Sequence, residues 1–234
     1  GVMVLFVLIV YFALISTKKA EQNKVWVGLS KETAHQLGTP ISSLMAWMDL
    51  LESSGVDSSL LSDMNKDVNR LSVIAERFSK IGSKPEMELI YVNEVLENAT
   101  EYMRRRVSDK VLITTHLPSD AEGAMVCLSL FEWVIENLCK NAVDAMNGEG
   151  RIDVYMTSEK QQIYIDIKDT GKGIARKNFK TVFNPGYTTK KRGWGLGLTL
   201  AKRIIEDYHA GRIYVKDSEV GKGTTFRIEL KRVV

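Results

Sequence analysis

His35 lies in the segment KETAHQLGTP (residues 31–40), directly after Ala34, which belongs to an apolar helical pattern. A side chain beside such a pattern reaches solvent at the edge of a helical core. A neutral imidazole can attack phosphorus through one ring nitrogen while an acceptor holds the proton on the other. A lone histidine is usually structural, so phosphoryl chemistry at His35 requires a nucleotide site elsewhere in the chain. Pro40 lacks the N–H that would bond the carbonyl oxygen of Gln36, and it predicts an interrupted helix beside His35.

Two asparagines, Asn137 and Asn141, lie four residues apart on one edge of a predicted helix. The buried stripe of that helix consists of Leu130, Val134, Leu138, Ala142 and Ala145. Polar amides at the edge of a core need partners. They can bond neighbouring backbone, or their oxygens can face a hydrated Mg²⁺ ion, which prefers oxygen ligands and keeps several waters.

A carboxylate ends a predicted strand at Asp169 and is followed by Gly171 and Gly173. Glycines at such a turn allow a ligand to approach the backbone. The exposed carboxylate can accept a hydrogen bond from an exocyclic amine such as that of adenine. The pattern Asp-x-Gly-x-Gly alone is a weak signal, because it is often only a turn.

The segment FNPGYTTKKRGWGLGL (residues 183–198) combines hydroxyls, consecutive cations and alternating glycines, and then opens a helix. Free N–H groups and the dipole at a helix start favour a phosphate chain. The glycines would also allow the segment to move as a lid. A second glycine turn, GKGTTF (residues 221–226), leads into the last strand and is equally compatible with a structural role.

Helices must position His35. Apolar residues in steps of three and four, from 27 to 51 and from 61 to 78, predict two helices joined by a turn at residues 53–57. Ile74 and Ile81 widen the apolar face beyond what one partner helix can cover. We therefore expect two hairpins to pair as a four-helix bundle in a homodimer.

Residues 85–234 show a mixed α/β pattern. Alternating apolar residues predict strands near 152–156, 163–167, 213–215 and 226–230, in a sheet with helices on one side and solvent on the other. Helices are predicted from an N-cap at Asn93 to about Arg106, from a capping box at Ser129 to about Met146, and from about Leu198 to His209.

The first 17 residues carry no charge and are followed by Lys18, Lys19 and Lys24. A helix of this length spans roughly 26 Å, just short of a bilayer core of about 30 Å, and the cations after it predict a cytoplasmic C-terminal side. We expect a truncated transmembrane helix at 1–17, a cytoplasmic linker at 18–24, the hairpin at 25–82 and an α/β domain at 85–234, anchored at the inner (cytoplasmic) membrane. The start without methionine suggests an upstream sensor region.

Composition limits other possibilities. The net charge of +3 and the short, local groups of basic residues give no indication of a nucleic-acid partner. Cys127 and Cys139 lie in apolar pattern, so we expect reduced core residues. Neither their spacing nor the three histidines predicts a metal site.

The order of these motifs resembles the cytoplasmic core of sensor histidine kinases of two-component systems. The resemblance covers nearly all of residues 20–234, and the C-terminal part is similar to the wider superfamily of gyrase, MutL and heat-shock chaperone ATPases. It implies a two-layer α/β sandwich of the histidine kinase/gyrase ATPase type, with ATP and Mg²⁺ as cofactors. It also implies transfer of the γ-phosphate to His35 and then to an aspartate of a response regulator receiver domain.

The resemblance further implies roles for individual residues. Asn141 would hold Mg²⁺ with Asn137 in support, Lys140 would contact phosphate, and Asp169 would bind the adenine amine. The other implied nucleotide-binding residues are Gly171 and Gly173 where the nucleotide approaches, Thr188, Thr189 and Lys190 near the terminal phosphates, Gly193, Gly195 and Gly197 in the lid hinge, and Thr224 near the adenine.

One departure from this family concerns the residue after the phosphorylated histidine, which is usually acidic and here is Gln36. An amide oxygen can orient an imidazole but cannot stabilise its developing positive charge, so slower self-phosphorylation is predicted. Thr39 matches the position at which the family orients water when it dephosphorylates its partner, which predicts phosphatase activity. Glu32 is expected on a solvated face of the helix.

Several alternatives stay open. Met45 and Trp47 either face the second helix, which we favour, or form a docking patch for a response regulator. The chain as a whole could be a degenerate kinase that binds ATP and acts as a dimeric scaffold, a hypothesis favoured only by Gln36. A different ATPase of the same superfamily would have no use for the His35 hairpin.

Overall fold

The chain divides into two units, Gly1–Pro85 and Glu86–Val234. The structure is a computed structural model that describes residues 2–81, 83, 85–189 and 195–233. Side chains are described for these residues except several between 2 and 29 and those of residues 58 and 60. The first unit is helical and the second is mixed α/β.

The first unit is a helical hairpin of α1 (Val2–Ser53) and α2 (Ser58–Ile81), as the apolar seams predict. The turn between the helices contains Gly55 at a φ of 76°. Asp57 Oδ1 accepts a hydrogen bond of 2.9 Å from the Ser59 N–H and thereby caps α2.

Helix α1 is continuous through residues 18–24 and through Pro40. The expectation that Pro40 interrupts the helix is therefore wrong. A proline removes one backbone hydrogen bond, and the turns on both sides of Pro40 continue the helix. In the turn after it, Ser42 Oγ donates a hydrogen bond of 2.9 Å to the carbonyl oxygen of Gly38. The predicted linker at 18–24 has no helix break to mark it.

The predicted transmembrane helix at residues 1–17 has no support in this structure. Among the described residues, no helix combines the length and the apolar character that crossing a bilayer requires. The uncharged run ends at Lys18 while the helix continues into a charged segment. The apolar run therefore does not define a separate element.

The seam of the hairpin is only half buried within one chain. Ile41 and Met48 of α1 pack with Val68 and Ala75 of α2. In contrast, the intervening seam residues are exposed: Leu44, Leu51, Met64 and Leu71. Met45 and Trp47 are exposed as well, so the favoured prediction that they face the second helix is wrong for the single chain.

The second unit contains the remaining elements. They are β1 (Glu88–Tyr91), α3 (Val92–Arg104), β2 (Val111–His116), β3 (Gly123–Val126), α4 (Leu128–Ala145), β4 (Gly150–Glu159), β5 (Gln162–Asp169), α5 (Gly197–Arg203), β6 (Arg212–Glu219) and β7 (Gly223–Lys231). Two 3₁₀ turns, Arg176–Asn178 and Thr181–Phe183, precede α5, and a π-helical turn, Ile204–Tyr208, follows it.

The main sheet has the strand order β2-β4-β5-β7-β6, and β1 pairs with β3 in a separate two-stranded sheet. Strands β2 and β4 are parallel, and the other neighbours are antiparallel. Because β7 lies between β5 and β6, the turn before β7 is beside the end of β5. In this register Lys168 of β5 is paired with Thr225 of β7.

The sheet and helices α3, α4 and α5 form two layers, as predicted. The face of the sheet toward the helices carries buried apolar residues such as Ile152, Val154, Ile165, Ile167 and Ile228. The opposite face is polar, and there Asp166 forms two hydrogen bonds, of 2.6 and 2.7 Å, with the guanidinium of Arg227.

Two predicted helix caps are wrong. Helix α3 begins at Val92, and the side chain of Asn93 bonds the loop that follows β2, with Nδ2 donating to the carbonyl oxygen of Asp120 at 2.7 Å. Helix α4 begins at Leu128 with Cys127 as its N-cap residue, two residues before the N-cap that the Ser129 box predicts. At α3 a longer-range contact of Asn93 replaces the predicted local cap.

Candidate functional site

Asp169 ends β5 with a side chain that is 3% exposed. Its Oδ1 accepts hydrogen bonds from the backbone N–H groups of Gly171, at 2.8 Å, and Thr224, at 3.3 Å. No described residue donates to Oδ2. Burial raises the pKa of the Asp169 carboxyl above its ordinary value, although these two N–H groups oppose the shift. The carboxylate is therefore held in place with one oxygen available for a donor such as an amine.

Thr224 lies beside Asp169, as the resemblance implies for two residues at one end of a nucleotide. Its Oγ1 is 2.9 Å from Ser218 Oγ. Ser218 Oγ also accepts a hydrogen bond of 2.7 Å from the Ile174 N–H. Strands β6 and β7 and the loop after β5 are therefore joined by one polar network, which fixes the orientation of the Thr224 backbone toward Asp169.

The glycines around Asp169 are required by the protein's own backbone. A Cβ atom on Gly171 would lie 2.8 Å from the carbonyl carbon of Ala145, at the end of α4. Gly173 has a φ of 72°, and a Cβ there would lie 2.7 Å from the carbonyl carbon of Glu219. The expected role of these glycines was nucleotide approach, but close packing of the loop between α4 and β6 already explains them.

Gly223 packs against the Asp169 backbone, a contact that the motifs did not predict. Its φ is 122°, and a Cβ atom would lie 2.8 Å from the carbonyl carbon of Asp169. The glycine therefore allows β7 to begin directly against the Asp169 backbone. The only sequence signal for it is its place in the second glycine turn.

Helix α4 presents Asn137 to the start of α5. A Cβ atom on Gly197 would lie 2.6 Å from Asn137 Oδ1. Asn137 Nδ2 is buried and, among the described residues, has no hydrogen-bond partner. A buried amide without a partner is costly, so this position calls for an acceptor from outside the described chain. Asn141 is half-buried one turn further along, and Lys140 is exposed.

The structure describes the residues at both ends of the predicted lid. The Gly186 N–H donates a hydrogen bond of 3.2 Å to the carbonyl oxygen of Gly195, which has a φ of 64°. Thr188 and Thr189 are exposed just inside this closure. Two predicted site residues, Lys190 and Gly193, lie outside the described residues.

Lys172, within the Asp-x-Gly-x-Gly motif, reaches the lid. Its Nζ donates a hydrogen bond of 2.7 Å to Thr189 Oγ1. Its backbone is held on both sides, because its N–H donates to the carbonyl oxygen of Ala145 and its carbonyl oxygen accepts from the Gly221 N–H. The motif alone predicts no role for this lysine, although a cation between two glycines was the available signal.

The residues present fit a nucleotide with a magnesium ion. The described residues contain no group of three or more His, Cys, Asp or Glu side chains that could hold a metal. An ion here would therefore share ligands with phosphates and water, which is how proteins usually bind Mg²⁺. Asn141 is the protein residue that suits such an ion. It lies on the same edge of α4 as Asn137, whose Nδ2 has no partner in the described part of the chain.

His209 is a buried residue that positions α4, and it was also missed. Its Nε2 accepts a hydrogen bond of 3.0 Å from the Cys127 N–H, and Nδ1 lies 2.7 Å from the carbonyl oxygen of Ile204. Nδ1 therefore carries the proton. Burial lowers the pKa of His209, against the opposing effect of these backbone bonds. A neutral His209 connects the start of the asparagine helix to the turn after α5.

His35 is exposed on α1, in the first unit, as are Gln36 and Thr39. Gln36 Nε2 donates a hydrogen bond of 2.7 Å to Glu32 Oε1. Glu32 is exposed, as expected for a solvated face of the helix, and its carboxylate also accepts this bond. The structure thus groups Asp169, Thr224, Gly171, Gly173, Thr189, Asn137 and Gly197 in one unit, and His35, Gln36 and Thr39 in the other.

Known proteins are similar to this chain over most of its length. Residues 128–234 match the family described as histidine kinase-, DNA gyrase B-, and HSP90-like ATPase. Sporulation kinase A of Bacillus subtilis (strain 168) is 26% identical over 92% of this chain and 36% of its own length. The sensor histidine kinase ZraS of Salmonella typhimurium is 26% identical over 93% of this chain and 48% of its own. The chain thus spans half or less of the length of these relatives.

A solved structure, the histidine kinase ThkA in complex with the response regulator protein TrrA, superposes with a TM-score of 0.60 at 18% identity. It covers 95% of this chain and 66% of that one. At this identity the similarity supports the fold alone.

Proposed function

We propose that this chain transfers the γ-phosphate of ATP to His35. The premise is that it is related to the two-component sensor histidine kinases and has a gyrase/MutL-like ATPase domain. The observation that carries the proposal is the Asp169 carboxylate, which two backbone N–H groups fix through Oδ1 while no described residue occupies Oδ2. An adenine amine is a donor that suits such an acceptor. The buried Nδ2 of Asn137, which has no hydrogen-bond partner among the described residues, adds a second position that calls for a ligand.

The residues of this chain divide the work. Asp169 and Thr224 would bind the base, while Asn137, Lys140, Asn141 and the lid residues Thr188, Thr189 and Lys190 would hold the phosphates. Bound Mg²⁺ would neutralise phosphate charge, with Asn141 as its protein ligand. His35 would use the lone pair of one ring nitrogen to attack the γ-phosphorus while the other nitrogen keeps its proton.

Transfer onward to an aspartate of a response regulator receiver domain is part of this proposal. It is supported by the fold shared with ThkA, which was solved with a response regulator protein. Trp47, 64% exposed on α1, suits the docking surface. Trp47→Ala should slow transfer to the regulator without changing self-phosphorylation.

Thr39→Ala should lower phosphatase turnover, and an unchanged turnover would contradict a phosphatase role of Thr39.

A homodimer is proposed from the hairpin. The exposed seam residues Leu44, Leu51, Met64 and Leu71 alternate with the buried ones, so a second hairpin could cover them. Leu44→Asp combined with Leu71→Asp should give monomers in light scattering.

Attachment to the cytoplasmic membrane stays a prediction from residues 1–17, which fractionation of cells that express the whole protein can test.

The function is tested by incubating the purified chain with Mg²⁺ and γ-labelled ATP. We expect an acid-labile label on wild-type protein that His35→Ala abolishes and that His116→Ala, at an exposed histidine of the second unit, leaves in place. The alternative, a degenerate kinase that serves as a dimeric scaffold, predicts ATP binding without any label. That result would refute the kinase proposal.

A further inference from the structure

The side chains of Glu32 and Gln36 are paired on the surface of α1 beside His35. Gln36 Nε2 donates a hydrogen bond of 2.7 Å to Glu32 Oε1 across one helical turn. Both residues are exposed, as is His35. The pair therefore places a carboxylate at a defined position one turn before the histidine.

Helix geometry puts this carboxylate between the two side chains that follow it. At about 100° per residue, Gln36 lies roughly 40° to one side of Glu32 around the helix axis and His35 roughly 60° to the other. Residues three and four apart have Cβ atoms about 5–6 Å from each other. Side chains of a helix also lean toward its N-terminus, so His35 and Gln36 both lean over the turn that holds Glu32.

We propose that Glu32 accepts the ring N–H of His35 and thereby supplies the negative charge that Gln36 lacks. This inference rests on the proposed function of His35. One carboxylate oxygen accepts the Gln36 amide, which restricts the rotamers of Glu32, and the other accepts the imidazole. Gln36 thus serves as a positioning residue for Glu32, and its neutral side chain is not a weakened substitute for an acid.

In the proposed transfer, one bond forms and one breaks at the γ-phosphorus. The lone pair of the unprotonated ring nitrogen forms the N–P bond, and the bond from the γ-phosphorus to its bridging oxygen breaks. The bonding electrons leave on that oxygen with ADP. The ring acquires positive charge, which the adjacent Glu32 carboxylate stabilises, or it passes its remaining proton to that carboxylate. A neutral side chain at position 32 would offer neither effect.

A purely structural role for the pair makes a different prediction. Glutamate and glutamine one turn apart stabilise a helix slightly, and loss of that bond would leave the imidazole unaffected. The tautomer of His35 therefore separates the two roles. A carboxylate that accepts one ring N–H favours one neutral tautomer over the other, which ¹⁵N chemical shifts of the labelled imidazole report.

The test compares three variants of the full chain. Glu32→Gln keeps the side-chain length and removes the charge. The double variant, Glu32→Gln with Gln36→Glu, moves the carboxylate from position 32 to position 36 on the same surface. Glu52→Gln, an exposed glutamate near the end of α1, is the control. We expect Glu32→Gln to slow self-phosphorylation by about tenfold or more and to shift the His35 tautomer ratio. The double variant should recover most of the rate, and Glu52→Gln should match wild type.

A wild-type rate together with an unchanged tautomer ratio in Glu32→Gln would overturn the inference. So would a double variant that is as slow as Glu32→Gln. These results are distinct from failure of the proposed function, in which wild-type protein acquires no label at His35. In that case the tautomer comparison still decides whether Glu32 bonds the imidazole.

Discussion

Asp166 and Asp169 lie three residues apart on β5 and face opposite sides of the sheet. Burial opposes ionisation of Asp166, but the bonds from Arg227 and Lys216 outweigh it and hold the pKa of that carboxyl below 3.8. Burial raises the pKa of Asp169 above 3.8 despite its two backbone donors. One aspartate therefore stabilises the fold when it is ionised, whereas the other reduces stability and is available for a ligand.

Asp169→Asn should abolish nucleotide binding without destabilising the chain. The asparagine Oδ1 can still accept from Gly171 and Thr224, but Nδ2 would present a donor to the adenine amine. A raised pKa means that stability is lost as pH rises through it, so wild type bears this cost at neutral pH. Thermal unfolding should show the variant equal to or above wild type at pH 7.5, an advantage that disappears below pH 3.8.

Asp166→Asn is the matched control, and it should change stability in the opposite direction. Its lowered pKa contributes stability above 3.8 that is lost as pH falls through the folded value. The variant should lose on the order of 2 kcal/mol at neutral pH and bind nucleotide normally. If Asp169→Asn were the less stable of the two, the interpretation of Asp169 as a ligand-binding residue whose ionised form reduces the stability of the fold would be wrong.

Lys172→Met should weaken ATP binding by about tenfold, the effect of one charge-assisted hydrogen bond. The lysine connects the loop after β5 to Thr189, so its loss leaves that end of the lid less restrained. Thr189→Val should weaken binding at least as much, because Thr189 is also a proposed phosphate contact. The double variant should bind ATP no more weakly than Thr189→Val alone. Titration with a fluorescent ATP analogue measures all three affinities.

The control for Lys172 is Lys222→Met, which removes an exposed lysine that pairs with Glu219 on the β6–β7 turn. Its ATP affinity should equal that of wild type. Additive losses in Lys172→Met and Thr189→Val would contradict a shared bond.

His209→Gln should lower the free energy of unfolding by about 1–3 kcal/mol, because glutamine cannot both accept from Cys127 and donate to Ile204 in the same geometry. The lowered pKa of His209 adds a pH dependence. The unfolded chain takes up the proton first, so stability is full above pH 6.5 and falls as pH drops from 6.5 toward the folded value. Urea unfolding at several pH values measures this.

His116→Gln provides the comparison for His209, because His116 is exposed and stacks on Tyr155. The part of the wild-type pH dependence that comes from His209 should persist in this variant. In His209→Gln, by contrast, the free energy of unfolding should fall less than in wild type as the pH drops below 6.5. An identical pH profile in both variants would show that His209 does not carry this dependence.

Gly223→Ala should damage the site more than Gly221→Ala. Both glycines have positive φ, 122° and 83°, so alanine is strained at either position. A Cβ on Gly221 meets nothing within 4 Å, whereas one on Gly223 presses on the Asp169 backbone. We expect a loss of about 1 kcal/mol for Gly221→Ala, and a larger loss together with weaker nucleotide binding for Gly223→Ala. Equal nucleotide affinities in the two variants would contradict the role of Gly223.

Local pattern predicted much of this molecule. Steps of three and four residues predicted both helices of the hairpin, and alternation predicted β4 to β7, because each pattern records which face of an element is buried. The position of Asp169 at a strand end and the pairing of Asn137 with Asn141 on one helix edge also follow from spacing alone. Asn93 was misjudged as a cap because its side chain bonds residues outside the local segment, and the cap at Ser129 was placed two residues too late. Pro40 was misjudged as a break because the helix continues despite the loss of one backbone hydrogen bond.

Strand order and side-chain contacts were decided only by the tertiary structure. Inserting β7 between β5 and β6 brings Gly223 and Thr224 to Asp169, and no periodicity encodes which strands become neighbours. The bond from Cys127 to His209 joins residues 82 positions apart, and the bond from Lys172 to Thr189 joins residues 17 positions apart. The sequence determined the elements and the chemical groups they carry, since burial patterns are local. The fold decided which groups meet, because those contacts depend on the path of the whole chain.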